Sequence, residues 1–71
     1  MKNFIKLYDT SKKEIITINI NSISNYKKVN HTDGSYSIRV VYTNTGLVNS
    51  EIKVKETINE IDNLILIAQN S

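Results

Sequence analysis

Hydrophobic and polar residues alternate in four segments of the chain, and this alternation is typical of β-strands that bury one face. The four segments are residues 3–9, 14–21, 36–43 and 48–54. The second segment gives the strongest strand prediction, because Ile16, Ile18 and Ile20 place β-branched side chains on one face. The inward residues of the third segment are expected to be Tyr36, Ile38, Val40 and Tyr42.

Polar segments separate the predicted strands. Residues 10–13 favour a hairpin loop, and Gly46 indicates a turn before the last strand. Asp33 and Gly34 signal a hairpin, because glycine adopts a positive φ at no steric cost. In residues 22–30 the apolar side chains are spaced by three, which indicates a bend or short helical turn that leads into a strand.

Residues 54–71 predict one amphipathic helix. Thr57 is the expected N-cap, and Glu60 three residues later completes the capping-box pattern. The apolar stripe that should pack on the sheet consists of Ile58, Ile61, Leu64, Ile65 and Ala68. Leu66 and Ile67 point away from this stripe, so the helix has more apolar surface than one face can bury.

These elements predict one small α+β domain over residues 1–71. Successive strands joined by short turns pair antiparallel, so we expect an antiparallel β-meander of four to five strands with a C-terminal α-helix packed on one face. A chain of 71 residues lies near the lower limit for a self-sufficient core. The chain has no cysteine and one histidine, which excludes disulfides and, within one chain, a multi-histidine metal site. We therefore expect a homo-oligomer.

Charge and hydropathy narrow the class of protein. The formal net charge is +2, too weak to indicate nucleic-acid binding without a clustered basic patch. We read no signal peptide at the start, and no apolar run reaches the roughly 20 residues that span a bilayer. We expect a cytoplasmic protein without membrane insertion, and the richness in Ile, Asn and Lys indicates a bacterial, phage or plasmid gene.

The sequence resembles the FlbD/SwrD-like family of small flagellar-cluster proteins. The matching residues are Ile5-Lys6-Leu7, Lys13-Glu14, Asn21 and Val54-Lys55-Glu56-Thr57, followed by Ile58, Ile61 and Ile65. The resemblance covers most of the chain, although the middle segment is longer here and Asn44-Thr45-Gly46 replaces the family's Asn-Gly turn. It implies an accessory protein in motility and carries over no catalytic residue.

Side chains with catalytic or ligand-binding chemistry are sparse. His31 beside Asp33 suggests a base for a nearby hydroxyl, but a hairpin tip is mobile, which favours an ordinary turn histidine. Glu56 and Glu60 lie on one side of the helix, where they suit its positive N-terminal end better than a metal ion. The isolated glycines form no phosphate-binding loop. We expect no enzyme activity, no cofactor and no metal.

Leu66 and Ile67 are the first candidates for an oligomer or partner interface, and Val41 adds an aliphatic side chain on the outward strand face. Burying one such side chain contributes roughly 1.5–3 kcal/mol, which matters when the whole stability margin is about 5 kcal/mol. Tyr8 and Tyr26 are further candidates, since tyrosine buries area and keeps a polar tip. Fraying of a terminal helix end is the alternative explanation of the exposed aliphatic pair.

Basic residues define an alternative surface. The residues of this nucleic-acid face are Lys27, Lys28, Arg39, Lys53 and Lys55. They form a basic sheet face if they lie on the same side of the sheet. Glu51 lies beside them, and alternating charges across strands are more often ion pairs on a solvated face. Nucleic-acid binding is therefore an alternative and not the favoured function.

The sequence supports one main hypothesis and two alternatives. The main hypothesis is a non-enzymatic, homo-oligomeric binding or regulatory module that docks on another protein. One alternative is a phage- or plasmid-encoded inhibitor of a host defence protein, or a protein that sequesters a nucleotide at a subunit interface. The other alternative is a weak nucleic-acid-binding regulator.

Overall fold

The described chain forms one five-stranded antiparallel sheet and one C-terminal helix, which confirms the predicted α+β class. The computed structural model describes residues 3–44 and 48–70, so the predicted turn at Gly46 lies outside the described residues. The elements are β1 (Phe4–Asp9), β2 (Glu14–Asn19), a 3₁₀-helix (Ile20–Ser22), β3 (Ile23–Asn30), β4 (Tyr36–Asn44), β5 (Val48–Val54) and α1 (Ile58–Gln69).

The sheet is strongly curled. Its strands lie in the order β2-β1-β5-β4-β3, so β2 and β3 form the two edges although they follow each other in the chain. Four strand spacings would separate the edges of a flat sheet by about 19 Å. The four Cα steps from Asn19 to Ile23 span at most about 14 Å. Because Ile20–Ser22 alone connect the two edges, the sheet closes toward a partly open barrel.

The hairpin turns follow the sequence predictions where the structure describes them. The helical turn predicted within residues 22–30 lies earlier than expected, because Ile20–Ser22 form the 3₁₀-helix and residues 23–30 are strand β3 throughout. The side chain of Asn19 caps this turn by accepting a hydrogen bond of 2.9 Å from the backbone N–H of Asn21. Gly34 has a φ of +90° in the hairpin between β3 and β4, a conformation that favours glycine.

The core lies inside the curled sheet and beneath the helix. Its buried hydrophobic residues are Ile5, Leu7, Ile18, Ile38, Val40, Val54, Ile61 and Ala68. Leu7, Val40 and Ile61 are completely buried, so β1, β4 and α1 each contribute a side chain to the centre. The inward faces predicted for β2 and β4 are therefore correct over most of their length.

Tyr36 is the exception, and its predicted place in the core is wrong. Tyr36 opposes Asn30 at the end of the β3–β4 hairpin, and its side chain is 52% exposed. The Nζ atom of Lys28 lies 4.4 Å from the centre of its ring. The side chain therefore serves as a cation–π partner beyond the edge of the core. Tyr42, in contrast, is half-buried and packs against the core.

Helix α1 begins at the predicted capping box and buries the predicted stripe. The backbone N–H of Glu60 donates to Oγ1 of Thr57 over 3.2 Å, and the N–H of Thr57 donates to Oε1 of Glu60 over 3.1 Å. Ile61 and Ala68 are buried, and Ile58, Leu64 and Ile65 are partly buried against the core. Within the described ranges, no helix is long and apolar enough to cross a membrane.

Two polar contacts attach the helix and its leading segment to the sheet. The backbone N–H of Tyr8 in β1 donates to both carboxylate oxygens of Glu56, over 3.0 and 3.2 Å. The hydroxyl of Tyr26 in β3 donates to the carboxylate of Asp62. These contacts fix the helix across β1 and β3, which are not neighbours in the sheet.

Candidate binding surfaces

Three of the five predicted basic residues share one row on the outward face of the sheet. Lys27 in β3 lies opposite Arg39 in β4, and Arg39 lies opposite Lys53 in β5. Residues directly opposite in antiparallel strands have Cα atoms about 4.5–5.5 Å apart. We call Lys27, Arg39 and Lys53 the basic row. Like charges in this arrangement repel each other and destabilise the sheet.

One carboxylate lies beside the basic row. Oε1 of Glu51 is 3.0 Å from Nε of Arg39, and the two side chains are 54% and 31% exposed. Among the residues that the structure describes, the Nε–H group of Arg39 finds no hydrogen-bond partner, so its contact with Glu51 is an ion pair without hydrogen-bond geometry. In the parts of the chain that the structure describes, Lys27 and Lys53 have no ion pair. The cross-strand repulsion is therefore only partly compensated.

The other two predicted basic residues lie apart from this row. Lys28 opposes Ile38, whose side chain is buried, so Lys28 lies on the inward side of the sheet near Tyr36. Lys55 follows β5, and its backbone N–H donates to the carbonyl of Tyr8 over 3.0 Å. Its side chain is exposed two residues beyond Lys53. The row thus extends toward Lys55 and excludes Lys28.

Charge is segregated between the sheet and the helix segment. Residues 1–55 contain nine basic and four acidic residues, a formal charge of +5, whereas residues 56–71 contain three acidic and no basic residues, a formal charge of −3. The modest net charge of +2 therefore conceals a cationic sheet and an anionic helix segment. A charged partner therefore meets a different electrostatic potential at the sheet and at the helix segment.

The end of α1 carries a second surface. Leu66 is 55% exposed and Ile67 is 58% exposed, as the stripe pattern predicts. The eight residues 63–70 contain no charged side chain, and we call this segment the uncharged helix half. Depletion of charged residues around exposed aliphatic side chains is typical of the centre of a protein interface.

The remaining predicted interface residues do not join this surface. Val41 is half-buried beside Glu51 on the outward face of the sheet. Tyr8 is half-buried opposite Ile15, which is 68% exposed on the β1–β2 hairpin. Tyr26 packs partly against the core and holds Asp62. The five candidates are thus distributed over several surfaces, and the alternation pattern alone gives no information on this arrangement.

The Tyr26–Asp62 contact changes the titration of the tyrosine. The hydrogen bond to the carboxylate of Asp62, with burial and the negative charge of that carboxylate, raises the pKa of Tyr26 above its usual value of 10.0. Each of these effects favours the neutral phenol, because a phenolate cannot donate the hydrogen bond and would be repelled by the carboxylate. The contact thus stabilises the packing of α1 on β3 while the phenol is protonated.

The hairpin tip does not form a catalytic triad. Nε2 of His31 lies 2.7 Å from Oγ of Ser37. Asp33 instead accepts hydrogen bonds from the backbone N–H and the hydroxyl of Ser35, which lower the pKa of its carboxyl group. These side chains lie at an exposed loop. Among the described residues, no three His, Cys, Asp or Glu side chains are grouped to hold a metal ion.

An opening beside β5 is the feature that the sequence did not predict. Strand β1 pairs with β5 at Asp9 and Val54 only. Strand β4, in contrast, pairs with the whole length of β5. A cavity of about 450 Å³ lies between the hairpin tip that follows β1 and residues 50–53 of β5. Local patterns cannot reveal this opening, since it depends on how β1 and β5 diverge from their contact at Asp9 and Val54, two residues far apart in the chain.

Comparison with known proteins gives no match to a family model, to a curated protein or to a solved structure.

Proposed function

We propose that the protein is a non-enzymatic binding module that self-associates and docks on another protein. The observation that carries this proposal is the uncharged helix half, where Leu66 and Ile67 each expose more than half of their side chain. An aliphatic pair within eight uncharged residues gives up little solvation when a second apolar surface covers it.

A second copy of the chain is the partner that suits this surface best. In a two-fold dimer the same patch meets itself, so the patch must tolerate its own charge. The uncharged helix half meets this condition because residues 63–70 carry no charge. The basic row does not, since two copies would oppose like charges.

The dimer would leave most of the surface free for another protein. A standard interface buries about 800 Å² on each partner, which is about a sixth of the 5043 Å² accessible surface of the described chain. The sheet face and the opening beside β5 lie on other elements than the helix half. Self-association and docking are therefore compatible.

Analytical ultracentrifugation tests the proposal. The wild type is expected to sediment as a dimer at high concentration and to dissociate on dilution. Leu66→Asp combined with Ile67→Lys introduces charges into the patch, so the variant should remain folded by circular dichroism and sediment as a monomer.

The matched control is Ile15→Lys combined with Thr17→Asp, which introduces the same charges at exposed positions of β2. This control should still dimerise. A wild-type protein that stays an 8.1 kDa monomer at every concentration would overturn the proposed self-association.

The basic row supports a second candidate function, binding of a nucleic-acid backbone. Lys27, Arg39 and Lys53 form a like-charged row that the fold alone does not favour. The outward face around the row carries Asn25, Ser37, Thr43 and Asn49, which are side chains that commonly contact phosphates. Among the described residues of β3, β4 and β5, no aromatic side chain lies on this face for base stacking, so a duplex suits it better than a single strand.

The salt dependence of binding to random duplex DNA tests this candidate. If the three cations of the row each neutralise one phosphate, affinity should fall about 40-fold between roughly 50 and 200 mM salt. Lys27→Gln with Lys53→Gln should weaken binding and flatten that slope. Lys6→Gln with Lys28→Gln removes the same charge outside the row and should do neither. Absence of binding at low salt excludes the candidate.

The identity of the protein partner follows from the gene neighbourhood. If the FlbD/SwrD-like resemblance reflects kinship, the neighbours are flagellar genes and the partner belongs to motility. If the protein is an inhibitor of host defence, the neighbours are phage or mobile-element genes. Neighbours of neither kind would remove the support for both interpretations.

A further inference from the structure

Strand β5 contacts β1 only at its C-terminal end, which leaves a free edge along the rest of the strand. The backbone N–H of Thr10 donates to the carbonyl of Lys53 over 2.9 Å, and the N–H of Lys55 donates to the carbonyl of Tyr8 over 3.0 Å. The hydroxyl of Thr10 also donates to the carbonyl of Lys53. The chain then leaves β1 and turns, so within the described residues Val48 to Ile52 have a strand neighbour only on the β4 side.

The alternation of backbone groups shows which amides face the opening. In an antiparallel strand, every second residue directs its N–H and C=O to the same side. Lys53 and Lys55 direct theirs toward β1. Asn49 and Glu51 must therefore direct their backbone groups to the same side, where the opening lies. Ser50 and Ile52 direct theirs to β4.

The hairpin that forms the other wall is held in place by a buried carboxylate. Asp9 is 3% exposed, and its Oδ1 accepts hydrogen bonds from the backbone N–H of Ser11 over 2.9 Å and of Lys12 over 3.2 Å. These bonds commit the two amides to the turn, so they cannot continue the ladder along β5. The hydrogen bonds of the turn therefore keep the opening beside β5 in the folded protein.

The charges around the opening favour an acidic partner. Lys12 and Lys53 are exposed on its two walls. The two carboxylates among the lining residues are already engaged, since Glu51 pairs with Arg39 and Asp9 holds the turn. Half-buried Tyr42 and Ile52 lie deeper among the lining residues. A strand that enters the opening thus meets free amides, a partly apolar floor and two lysines.

We propose that an extended acidic segment of another protein adds to the sheet along the free edge of β5. Its backbone pairs with Asn49 and Glu51, and its acidic side chains approach Lys12 and Lys53. Addition of a strand to an exposed sheet edge is an established mode of peptide recognition, in which backbone hydrogen bonds give affinity and side chains give specificity. This inference rests on the proposed role in protein docking and names the docking surface.

Hydrogen exchange of the wild-type protein without a ligand provides the first test. The amides of Asn49 and Glu51 should exchange rapidly, whereas those of Ser50 and Ile52 should be protected by β4. Equal protection of all four amides would mean that this edge of β5 is already paired, and it would overturn the proposed strand addition.

Titration with a capped eight-residue peptide of alternating threonine and glutamate provides the second test. Its NMR titration should shift the amides of Asn49, Glu51 and Lys53, and exchange at Asn49 and Glu51 should slow. A peptide of the same sequence with N-methyl groups on every residue keeps the charge, has no backbone N–H to donate and presents methyl groups along both edges. Equal binding of the two peptides would reduce the effect to charge attraction and overturn the inference.

Asn49→Pro is the variant that addresses the edge directly. Proline removes an N–H that faces the opening, so the β4 ladder and the melting temperature should be retained while peptide affinity falls about tenfold. Ser50→Pro, one residue further, removes an N–H that faces β4 and should destabilise the fold. Unchanged peptide affinity in folded Asn49→Pro would contradict the proposal.

Sedimentation of the same samples separates the two proposals. Asn49→Pro should dimerise like the wild type, because the helix half is untouched. A dimer that does not bind the peptide overturns strand addition alone. A monomer that does bind the peptide supports strand addition and overturns self-association alone.

Discussion

The outward face of β3–β5 and the uncharged helix half both carry exposed side chains, yet their chemistry differs. The first carries Lys27, Arg39 and Lys53 in one row, and the second carries Leu66 and Ile67 without a charged neighbour in residues 63–70. The basic row is unfavourable for the stability of the sheet, because like charges lie opposite each other on neighbouring strands. The uncharged helix half is unfavourable because it leaves aliphatic side chains in water.

Because of this difference, we propose different partners for the two surfaces. A charged row repels a copy of itself and attracts an anionic molecule, and this attraction weakens as salt screens it. The uncharged helix half brings no charged side chain of residues 63–70 against its own copy, and its burial depends little on salt. The salt dependence of binding therefore distinguishes the two surfaces experimentally. Substitutions in each surface, measured by the free energy of unfolding, show how much that surface contributes to the stability of the fold.

The largest expected effect concerns the inner face of the helix. Ile61→Ala removes a completely buried side chain and should lower the free energy of unfolding by about 2–5 kcal/mol, because a cavity remains in the core. Urea unfolding of dilute protein measures the loss. From a stability margin of about 5 kcal/mol, this loss leaves at most about 3 kcal/mol, so the variant should unfold at a much lower urea concentration than the wild type.

Leu66→Ala on the outer face of the same helix is the matched control. Its side chain is 55% exposed, so the cost in dilute protein should stay within about 0.5 kcal/mol. Equal costs for the two variants would show that Leu66 belongs to the core, and the contrast between the helix half and the charged sheet face would lose its basis.

The next effect concerns the start of the helix that presents the uncharged half. Thr57→Ala removes one hydrogen bond of the capping box and should cost about 1 kcal/mol of stability, with weaker dimerisation as a consequence of the less stable helix. Thr57→Ser retains the hydroxyl and should restore both. Thermal unfolding and sedimentation together measure the effect, and a neutral Thr57→Ala would mean that packing alone fixes the helix start.

Much of the fold follows from the sequence because its signals are local. Alternation locates β1, β2, β4 and β5, and the capping box with the apolar stripe locates α1. The pairing of β1 with β5 is not local, since Asp9 and Val54 are 45 residues apart. The alternation within each of these strands does not indicate which strand it pairs with. The opening beside β5 depends on that pairing, so it could not be predicted.

The candidate surfaces were predicted in part, and the errors have physical reasons. Arg39 and Lys53 lie opposite each other on the outward face, as the alternation of their strands predicts. Lys28 could not lie on that face, since successive residues of a strand point to opposite sides. Tyr36 follows the inward alternation of β4, but it stands beyond the part of the sheet that the core fills.

A smaller effect concerns the hydrogen bond that joins the two regions, from Tyr26 of β3 to Asp62 of α1. Tyr26→Phe should cost about 1 kcal/mol near neutral pH. Because the pKa of Tyr26 is raised in the fold, its contribution is complete below pH 10.0 and is lost as the pH rises through the folded value. Unfolding measured between neutral and alkaline pH should therefore show a smaller alkaline loss in Tyr26→Phe than in the wild type. Parallel pH profiles would mean that the contact does not form in solution.

The smallest expected effect concerns the basic row itself. Lys27→Gln relieves the repulsion between Lys27 and Arg39, so it should stabilise the sheet by roughly 0.2–0.5 kcal/mol at low ionic strength. The gain should vanish near 1 M salt, where the Debye length is about 3 Å. Lys6→Gln is the control, because Lys6 lies opposite the uncharged Thr17 and should show no such gain. Urea unfolding of both variants at two salt concentrations measures the difference. A destabilised Lys27→Gln would show that the row supports the sheet, and the case for an anionic partner would then lose its physical basis.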